Sequence, residues 1–174
     1  MILFMIVCGG CEDDKPLQKV ELKETAKNAD VIFMRFDADL FNSDFSNPDS
    51  ACQQLYQKYG SFFCGFVEND LQLANCQSDS LGKLLKPFVM NPDIIETHKE
   101  ILSYFNMEKT DALNNQLTEC LRRWNHYFPE RLIPTVIYYQ SAWNNNIAPN
   151  DSSLGISLDC YLGKNNKITK NQIA

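Results

Sequence analysis

Apolar residues recur at helical spacing through the second half of the chain. Asn91 suits the cap of one helix and Pro92 its first position, and the apolar stripe that follows continues to Phe105. A second stripe begins at Leu113 and is ended by Pro129, because the residue before a proline avoids the helical conformation. Two amphipathic helices are therefore predicted in succession.

Shorter helices are predicted in the first half of the chain. A helical turn is expected over residues 37–41, and another helix opens at Asn47-Pro48, an asparagine cap followed by a first-turn proline. Gly60 would end that helix, because glycine readily adopts the conformation found after a helix C-terminus. A further helix is predicted over residues 81–88, whereas the aromatic residues 61–67 fit either helix or strand.

Runs of β-branched and aromatic residues predict strands at residues 30–36, 135–139 and 154–162. We expect the last two strands to pair as an antiparallel hairpin across a long polar loop. Because helices precede strands and do not alternate with them, the predicted fold class is α+β. In this fold several helices pack on a small antiparallel sheet.

The chain has 174 residues, with 22 acidic and 16 basic residues and a formal net charge of −6 at pH 7. This length fits one domain, predicted over residues 30–163, and the apolar residues are sufficient for a core. The negative charge argues against a nucleic-acid partner, which requires a concentrated basic surface. The lysines of the predicted polar tail, residues 164–174, are dispersed among Asn and Gln and do not form such a surface.

Seven cysteines are present, but they lack the repeated Cys-x-x-Cys pairs of a zinc ribbon. When Cys8 and Cys11 near the N-terminus are set aside, an odd number remains, so at least one stays free or pairs between chains. Cys64 and Cys76 are the preferred disulfide partners on spacing alone, in an oxidising compartment. Other pairings stay open, because spacing does not determine connectivity.

The N-terminus has the pattern of an export signal. Residues 1–7 are uniformly apolar and too few to span a hydrocarbon core of about 30 Å, and Gly9-Gly10 then precede Cys11. This order resembles the bacterial lipobox, in which small residues precede a cysteine that receives lipid and becomes the new N-terminus. Residues 1–11 are therefore predicted to be a lipoprotein signal with Cys11 as the lipidation site, and residues 12–29 a tether. The alternative, a buried first strand, is disfavoured by the glycines and the acidic residues after them.

Residues with catalytic potential are sparse. Neither His98 nor His126 belongs to an HExxH helix, whose i, i+4 spacing lets two histidines share a zinc ion. The GxSxG and GxxxxGK[ST] motifs are absent as well. Cys120 precedes His126 at a spacing that directs the two side chains to different sides of a helix. We therefore expect no catalytic site, no metal site and no cofactor.

Asp159 is the polar residue that stands out in the last predicted strand. It lies between Leu158 and Cys160, so strand periodicity would direct its side chain to the exposed side of the sheet. The competing interpretation is a structural or partner-contact role. The sequence leaves both open.

Several short segments with aromatic, glycine and acidic residues follow one another along the chain. They are Arg35-Phe36-Asp37, Leu40-Phe41, Leu55-Tyr56, Tyr59-Gly60, Phe62-Phe63, Tyr127-Phe128-Pro129, Leu154-Gly155-Ile156-Ser157-Leu158-Asp159 and Tyr161-Leu162-Gly163. Taken in order, these segments resemble the gliding-motility lipoprotein B family of the Bacteroidetes. The resemblance covers nearly all of the chain and implies a membrane-anchored envelope protein on the periplasmic or outer-membrane face. It implies protein partners in the gliding apparatus and the linked secretion apparatus, and a structural or partner-contact role for Arg35 and Asp37.

The resemblance also implies that family members are longer, with a further helical part after the Leu154-Gly155 segment. This chain is therefore expected to be a truncated member or one that has lost the later part. Its helix-and-strand order is similar to the front part of zincin-type peptidases. A relic or truncated metallopeptidase is consequently the alternative to a non-enzymatic envelope protein.

Overall fold

A computed structural model describes residues 21–163, which form helices around a four-stranded sheet. Within these residues no helix is both long enough and apolar enough to cross a membrane. The helices are α1 (Glu24–Lys27), α2 (Phe36–Asn42), α3 (Pro48–Tyr59), α4 (Ser61–Gly65), α5 (Leu81–Val89), α6 (Pro92–Tyr104) and α7 (Met107–Tyr127). A π-helical segment (Phe66–Asp70) continues α4. The strands are β1 (Phe33–Arg35), β2 (Thr135–Tyr139), β3 (Ile147–Pro149) and β4 (Ser153–Ser157), and a 3₁₀ helix (Leu158–Tyr161) follows β4.

The helix signals in the sequence correspond to helix ends in the structure. The Asn47 side chain accepts a hydrogen bond from the Ser50 amide at 3.3 Å, which caps α3 as predicted. The Asn91 side chain accepts one from the Asp93 amide at 2.9 Å and caps α6 in the same way. Gly60 ends α3 with φ of +51°, a backbone angle that glycine adopts without steric cost.

The sheet is mixed, so the predicted antiparallel sheet and hairpin are wrong, although the α+β class is confirmed. Strand order is β1-β2-β4-β3, and β2 pairs in parallel with both β1 and β4. The intervening residues 140–152 are numerous enough for the chain to return as β3, which pairs antiparallel with β4 on its far side. The last strand also ends earlier than predicted, because the 3₁₀ helix begins directly after Ser157.

The central strand β2 is buried on both faces, as its continuous apolar sequence requires. Val136 and Tyr138 belong to a core cluster that also contains Ile101 of α6 and Leu121 of α7. Ile137 and the residues of the opposite face belong to a second and larger cluster. The alternation follows from the two-residue period of a strand.

Aromatic rings dominate the larger cluster. Phe36, the first residue of α2, contacts Tyr59 and Phe66 with ring centroids 4.9 Å apart and Phe62 at 5.4 Å, in edge-to-face geometry. Tyr139 of β2 meets Phe62 at 5.3 Å and thereby joins the sheet to α4. Pairs of this kind stabilise a core beyond the apolar area that they bury.

Two glycines allow elements to approach more closely than a side chain would permit. A Cβ atom at Gly155 would lie 2.6 Å from Cε2 of Phe62, so α4 packs directly on the backbone of β4. A Cβ atom at Gly82 would lie 2.7 Å from the carbonyl carbon of Pro48, so α5 packs directly on the start of α3. These contacts fix where the helices lie over the sheet.

Residues 21–29, in the last part of the predicted tether, contact the end of α7. Ala26 of α1 is buried, and the Lys23 amide donates a hydrogen bond to Nδ1 of His126 at 3.0 Å. The Arg122 side chain donates to the Ala29 carbonyl at 3.1 Å. The predicted boundaries at 12–29 and 30–163 stay a prediction. Cys11, the signal and the tail at 164–174 lie outside the described residues.

Candidate functional site

The candidate site lies at the carboxyl ends of the three parallel strands, where polar residues gather. β1, β2 and β4 end at the same edge of the sheet, the edge at which ligand sites form in α/β sheets. Sequence analysis selected Arg35, Asp37 and Asp159 from this region. It did not select the other polar residues that the structure brings to the Asp159 end, which are Asp70, Ser141, Asn144, Asn145 and Ser157.

The Asp159 carboxylate is buried, with 1% exposure, and organises the loop after β2. It accepts hydrogen bonds from the Trp143 amide at 2.8 Å and the Ser141 amide at 3.4 Å, and a third from the Ser157 hydroxyl. The exposed-strand interpretation of Asp159 is wrong because the strand ends at Ser157 and Asp159 lies in the 3₁₀ helix. Three donors satisfy a carboxylate that burial would otherwise penalise.

The loop over residues 140–146 has a backbone that needs such support. Ala142 and Trp143 have φ angles of +56° and +61°, which cost free energy in residues that carry a Cβ atom. The amide of Trp143 donates to Asp159, so the carboxylate holds the strained segment directly. The Ser141 hydroxyl donates to the Asn145 carbonyl at 3.0 Å, and Asn144 donates to the Ser141 carbonyl at 3.0 Å. Together these bonds close the loop on itself.

Asp70, at the end of the π-helical segment, supplies a second buried carboxyl group. It accepts a hydrogen bond from the Asn145 side chain, and its backbone carbonyl accepts one from Asn144 at 2.8 Å. Burial raises the pKa of Asp70, Asn145 and Tyr139 lower it, and the negative charge of Asp159 raises it further. Burial, together with the nearby Asp70, raises the pKa of Tyr139 as well.

A cleft of about 440 Å³ opens beside Asp70. It lies between α4 with its π-helical continuation on one side and the edge strand β3 on the other. Its lining mixes aromatic rings with amide and carboxyl groups. The lining residues are Ser61, Phe62, Gly65, Phe66, Asn69, Asp70, Asn145, Ile147, Ala148, Pro149 and Asn150.

Arg35 and Asp37 form a two-pronged ion pair that joins β1 to the first turn of α2. The Nε and Nη2 atoms of Arg35 donate to the two carboxylate oxygens of Asp37 at 2.8 and 2.6 Å. The Asp37 side chain is fully buried, and the hydrogen bond to it raises the pKa of Arg35 although burial opposes the shift. Asp159 lies at the same sheet edge, but its hydrogen bonds go to the loop after β2 and not to this pair.

The two histidines lie on different helices and in different surroundings. His98 of α6 is buried and stacks on Phe41 with ring centroids 4.1 Å apart, and its Nδ1 has no hydrogen-bond partner among residues 21–163. Burial lowers the pKa of His98, while Arg35 lowers it further and Asp37 opposes both. His126 of α7 instead accepts the Lys23 amide near the N-terminal segment. The structure therefore does not bring the two imidazoles into one site.

Cys64 and Cys76 form a disulfide, which confirms the pairing preferred from spacing. Glu68 lies beside it, and within residues 21–163 this trio is the only group placed close enough to share a metal ion. Sulfurs that are bonded to each other are not thiolates and do not ligate a metal as thiolates do. The Glu68 carboxylate accepts the Cys76 amide at 2.8 Å instead.

Two of the remaining thiols are held in the protonated state. Burial, with Asp49 nearby, raises the pKa of Cys52 to about 11. Burial and the Asp159 charge raise the pKa of Cys160. Because the thiolate is the nucleophilic form, both environments oppose nucleophilic chemistry.

Replacement of Asp159 by Asn tests the structural role of the carboxylate. The amide has one acceptor oxygen, so its NH₂ group would face a backbone donor and a buried hydrogen bond would be lost. We expect Asp159→Asn to lower the free energy of unfolding by about 2–3 kcal/mol in urea titrations followed by tryptophan fluorescence. Asp151→Asn, at an exposed position between β3 and β4, should change stability by less than about 0.5 kcal/mol. An equally small effect of Asp159→Asn would contradict the role.

His98 should make the fold sensitive to mild acid. The unfolded chain binds a proton on this imidazole near pH 6.5, about the ordinary pKa, whereas the folded chain binds it only at lower pH. The unfolded state therefore takes up more protons as the pH falls, and stability decreases. Between about pH 7.5 and about pH 5.5 the wild type should lose more stability than His98→Phe, which keeps a ring on Phe41 but does not titrate. Parallel losses in urea titrations of both proteins would exclude His98 as the cause.

The motif-based resemblance is confirmed by comparison with known families. The family model described as gliding motility protein GldB matches residues 17–174, which include every described strand and helix. No curated protein and no solved structure matches the chain. The family model matches far more than half of the residues of this chain. The chain therefore belongs to the family of gliding motility protein GldB, a lipoprotein family.

Proposed function

We propose that this chain is a lipid-anchored component of the cell envelope that acts in gliding motility through protein contacts and without catalysis. Membership of the gliding motility protein GldB family is the observation that carries the proposal. The proposed location is the periplasmic or outer-membrane face. The proposed partners are proteins of the gliding apparatus and the linked secretion apparatus.

The N-terminal sequence supports attachment through Cys11. Gly9 and Gly10 are small residues of the kind that precede a lipidated cysteine, and the apolar residues 1–7 precede them. Residues 12–14 are acidic and would keep the start of the tether in water. Residues 1–11 are thus proposed as the signal, 12–29 as the tether and 30–163 as the domain, with 164–174 as a polar tail.

The hydrogen bonding at the strand ends supports a non-catalytic role. A general base or a metal ligand needs a lone pair that the substrate or the metal can reach. The Asp37 and Asp159 side chains are buried, and their oxygens accept hydrogen bonds from Arg35 and from backbone amides and a hydroxyl, respectively. We propose that Arg35, Asp37 and Asp159 have a structural role, and that partner contacts depend on the surface that they hold in place. A relic of a zincin-type metallopeptidase is the alternative function.

Lipid attachment is tested by substitution of the acceptor cysteine. Cys11→Ser removes the thiol that would carry the lipid, so the chain should leave the membrane fraction or keep its signal unprocessed. Cys8→Ser, three residues earlier, is the matched control and should still be processed and sediment with membranes. Fractionation of cell envelopes with immunoblotting measures both outcomes. A Cys11→Ser chain that matures and sediments like the wild type would contradict the proposal.

A further inference from the structure

Four large apolar side chains are exposed near the C-terminal end of α7 and in the segments beside it. Leu132 is 81% exposed, Ile32 61%, Tyr127 60% and Phe128 48%. Tyr127 ends α7, Phe128 begins the turn that follows, and Leu132 comes directly after that turn. The Ile32 carbonyl accepts the Val136 amide at 2.8 Å, which places Ile32 beside the residues that follow this turn. We call these four residues the Leu132 patch, since single exposed apolar residues are ordinary but a group of them marks an interaction site.

The first residues that the structure describes lie next to this patch. The Lys23 amide donates to His126, the neighbour of Tyr127, so the N-terminal segment is held at the same end of α7. Cys11 precedes residue 21 by ten residues, which span at most about 35 Å when fully extended. Met107, at the opposite end of the 21-residue helix α7, lies about 30 Å further along the helix axis. A lipid on Cys11 would therefore let the Leu132 patch meet the bilayer with the tether slack, whereas contact by the Met107 end would require the tether to extend along most of the length of α7.

The balance of basic and acidic residues near the Leu132 patch is also more favourable for approach to an anionic membrane than that of the remaining residues. Segments 21–32 and 119–132 together contain five basic and five acidic residues, whereas the rest of residues 21–163 has six basic and fourteen acidic ones. An anionic leaflet repels the acidic remainder more strongly than the balanced end. The basic residues at the balanced end are Lys23, Lys27, Arg122, Arg123 and Arg131, and the acidic ones are Glu21, Glu24, Asp30, Glu119 and Glu130.

We propose that the Leu132 patch rests on the lipid surface and orients the domain on the membrane. This inference depends on the proposed lipid anchor at Cys11. The anchor supplies the main affinity, and the patch adds a weak apolar contact that selects one orientation. Tyr127 and Phe128 suit this position, because aromatic side chains favour the boundary between headgroups and hydrocarbon.

Photo-crosslinking tests the orientation in the intact lipidated chain. Benzoylphenylalanine replaces Leu132 in one protein and Met107 in a matched control, since Met107 is 80% exposed and equally free of the core. Each protein is reconstituted in vesicles of phosphatidylethanolamine and phosphatidylglycerol, irradiated, and analysed for lipid adducts by mass spectrometry. Position 132 should give roughly tenfold more adduct than position 107, the bias that burial of about one leucine-sized side chain supplies.

Flotation of the same vesicles separates the possible failures. Anchored chains that form equal amounts of adduct at both positions would overturn the proposed orientation and leave the anchor intact. Chains that do not float with the vesicles would overturn the anchor and the orientation together. A third protein, with Leu132→Asp and the photo-crosslinker at position 127, should remain anchored and lose most of its lipid adduct. An unchanged yield there would also overturn the proposal.

Discussion

The buried carboxylate of Asp159 is the interaction on which the carboxyl end of the sheet depends. A carboxylate with 1% exposure is stable only if donors replace the water that it has lost. Two backbone amides of the loop after β2 and the hydroxyl of Ser157 provide those donors. The loop in turn keeps φ angles at Ala142 and Trp143 that would be costly without this support. Strand β4 therefore fits between β2 and β3 because the loop folds back tightly enough to place β3 on its outer side.

Hydrogen bonds within the fold also determine how the polar groups at this sheet edge are interpreted functionally. The sheet edge has the position and the residue types of an active site, yet its charged groups are engaged within the fold. Arg35 donates hydrogen bonds to both carboxylate oxygens of Asp37, and the Asn145 side chain donates one to Asp70. Asp70 nevertheless lines an open cleft beside β3, and the Asn145 side chain links it to the loop that Asp159 holds.

Local signals in the sequence predicted the helices and strands. Strand direction and the buried polar network were not predicted, because they depend on residues that are far apart in the chain. Asparagine caps at residues 47 and 91, the run at 135–139 and the Cys64–Cys76 pair were predicted because each depends on neighbouring residues or on spacing. Strand direction was mispredicted because alternation of apolar residues is the same in parallel and antiparallel pairs. The role of Asp70 was missed because its partners Asn144 and Asn145 are more than seventy residues away in the chain. The burial of Asp159 was equally hidden, because the strand ends at Ser157 and the two-residue period of a strand does not apply to the 3₁₀ helix that follows.

Zinc content tests the central claim, that the polar groups at the strand ends serve the fold and not catalysis. A catalytic zinc site needs about three protein ligands and an open position, whereas the Asp37 and Asp159 carboxylates at this edge are buried and hydrogen-bonded within the fold. Purified protein should be incubated with zinc, dialysed against chelator and analysed for metal per chain, for the wild type and for His98→Ala and Asp159→Asn. The account predicts far less than one equivalent of zinc in all three proteins. One equivalent that survives the chelator in the wild type and is lost in His98→Ala or Asp159→Asn would contradict it and favour the metallopeptidase alternative.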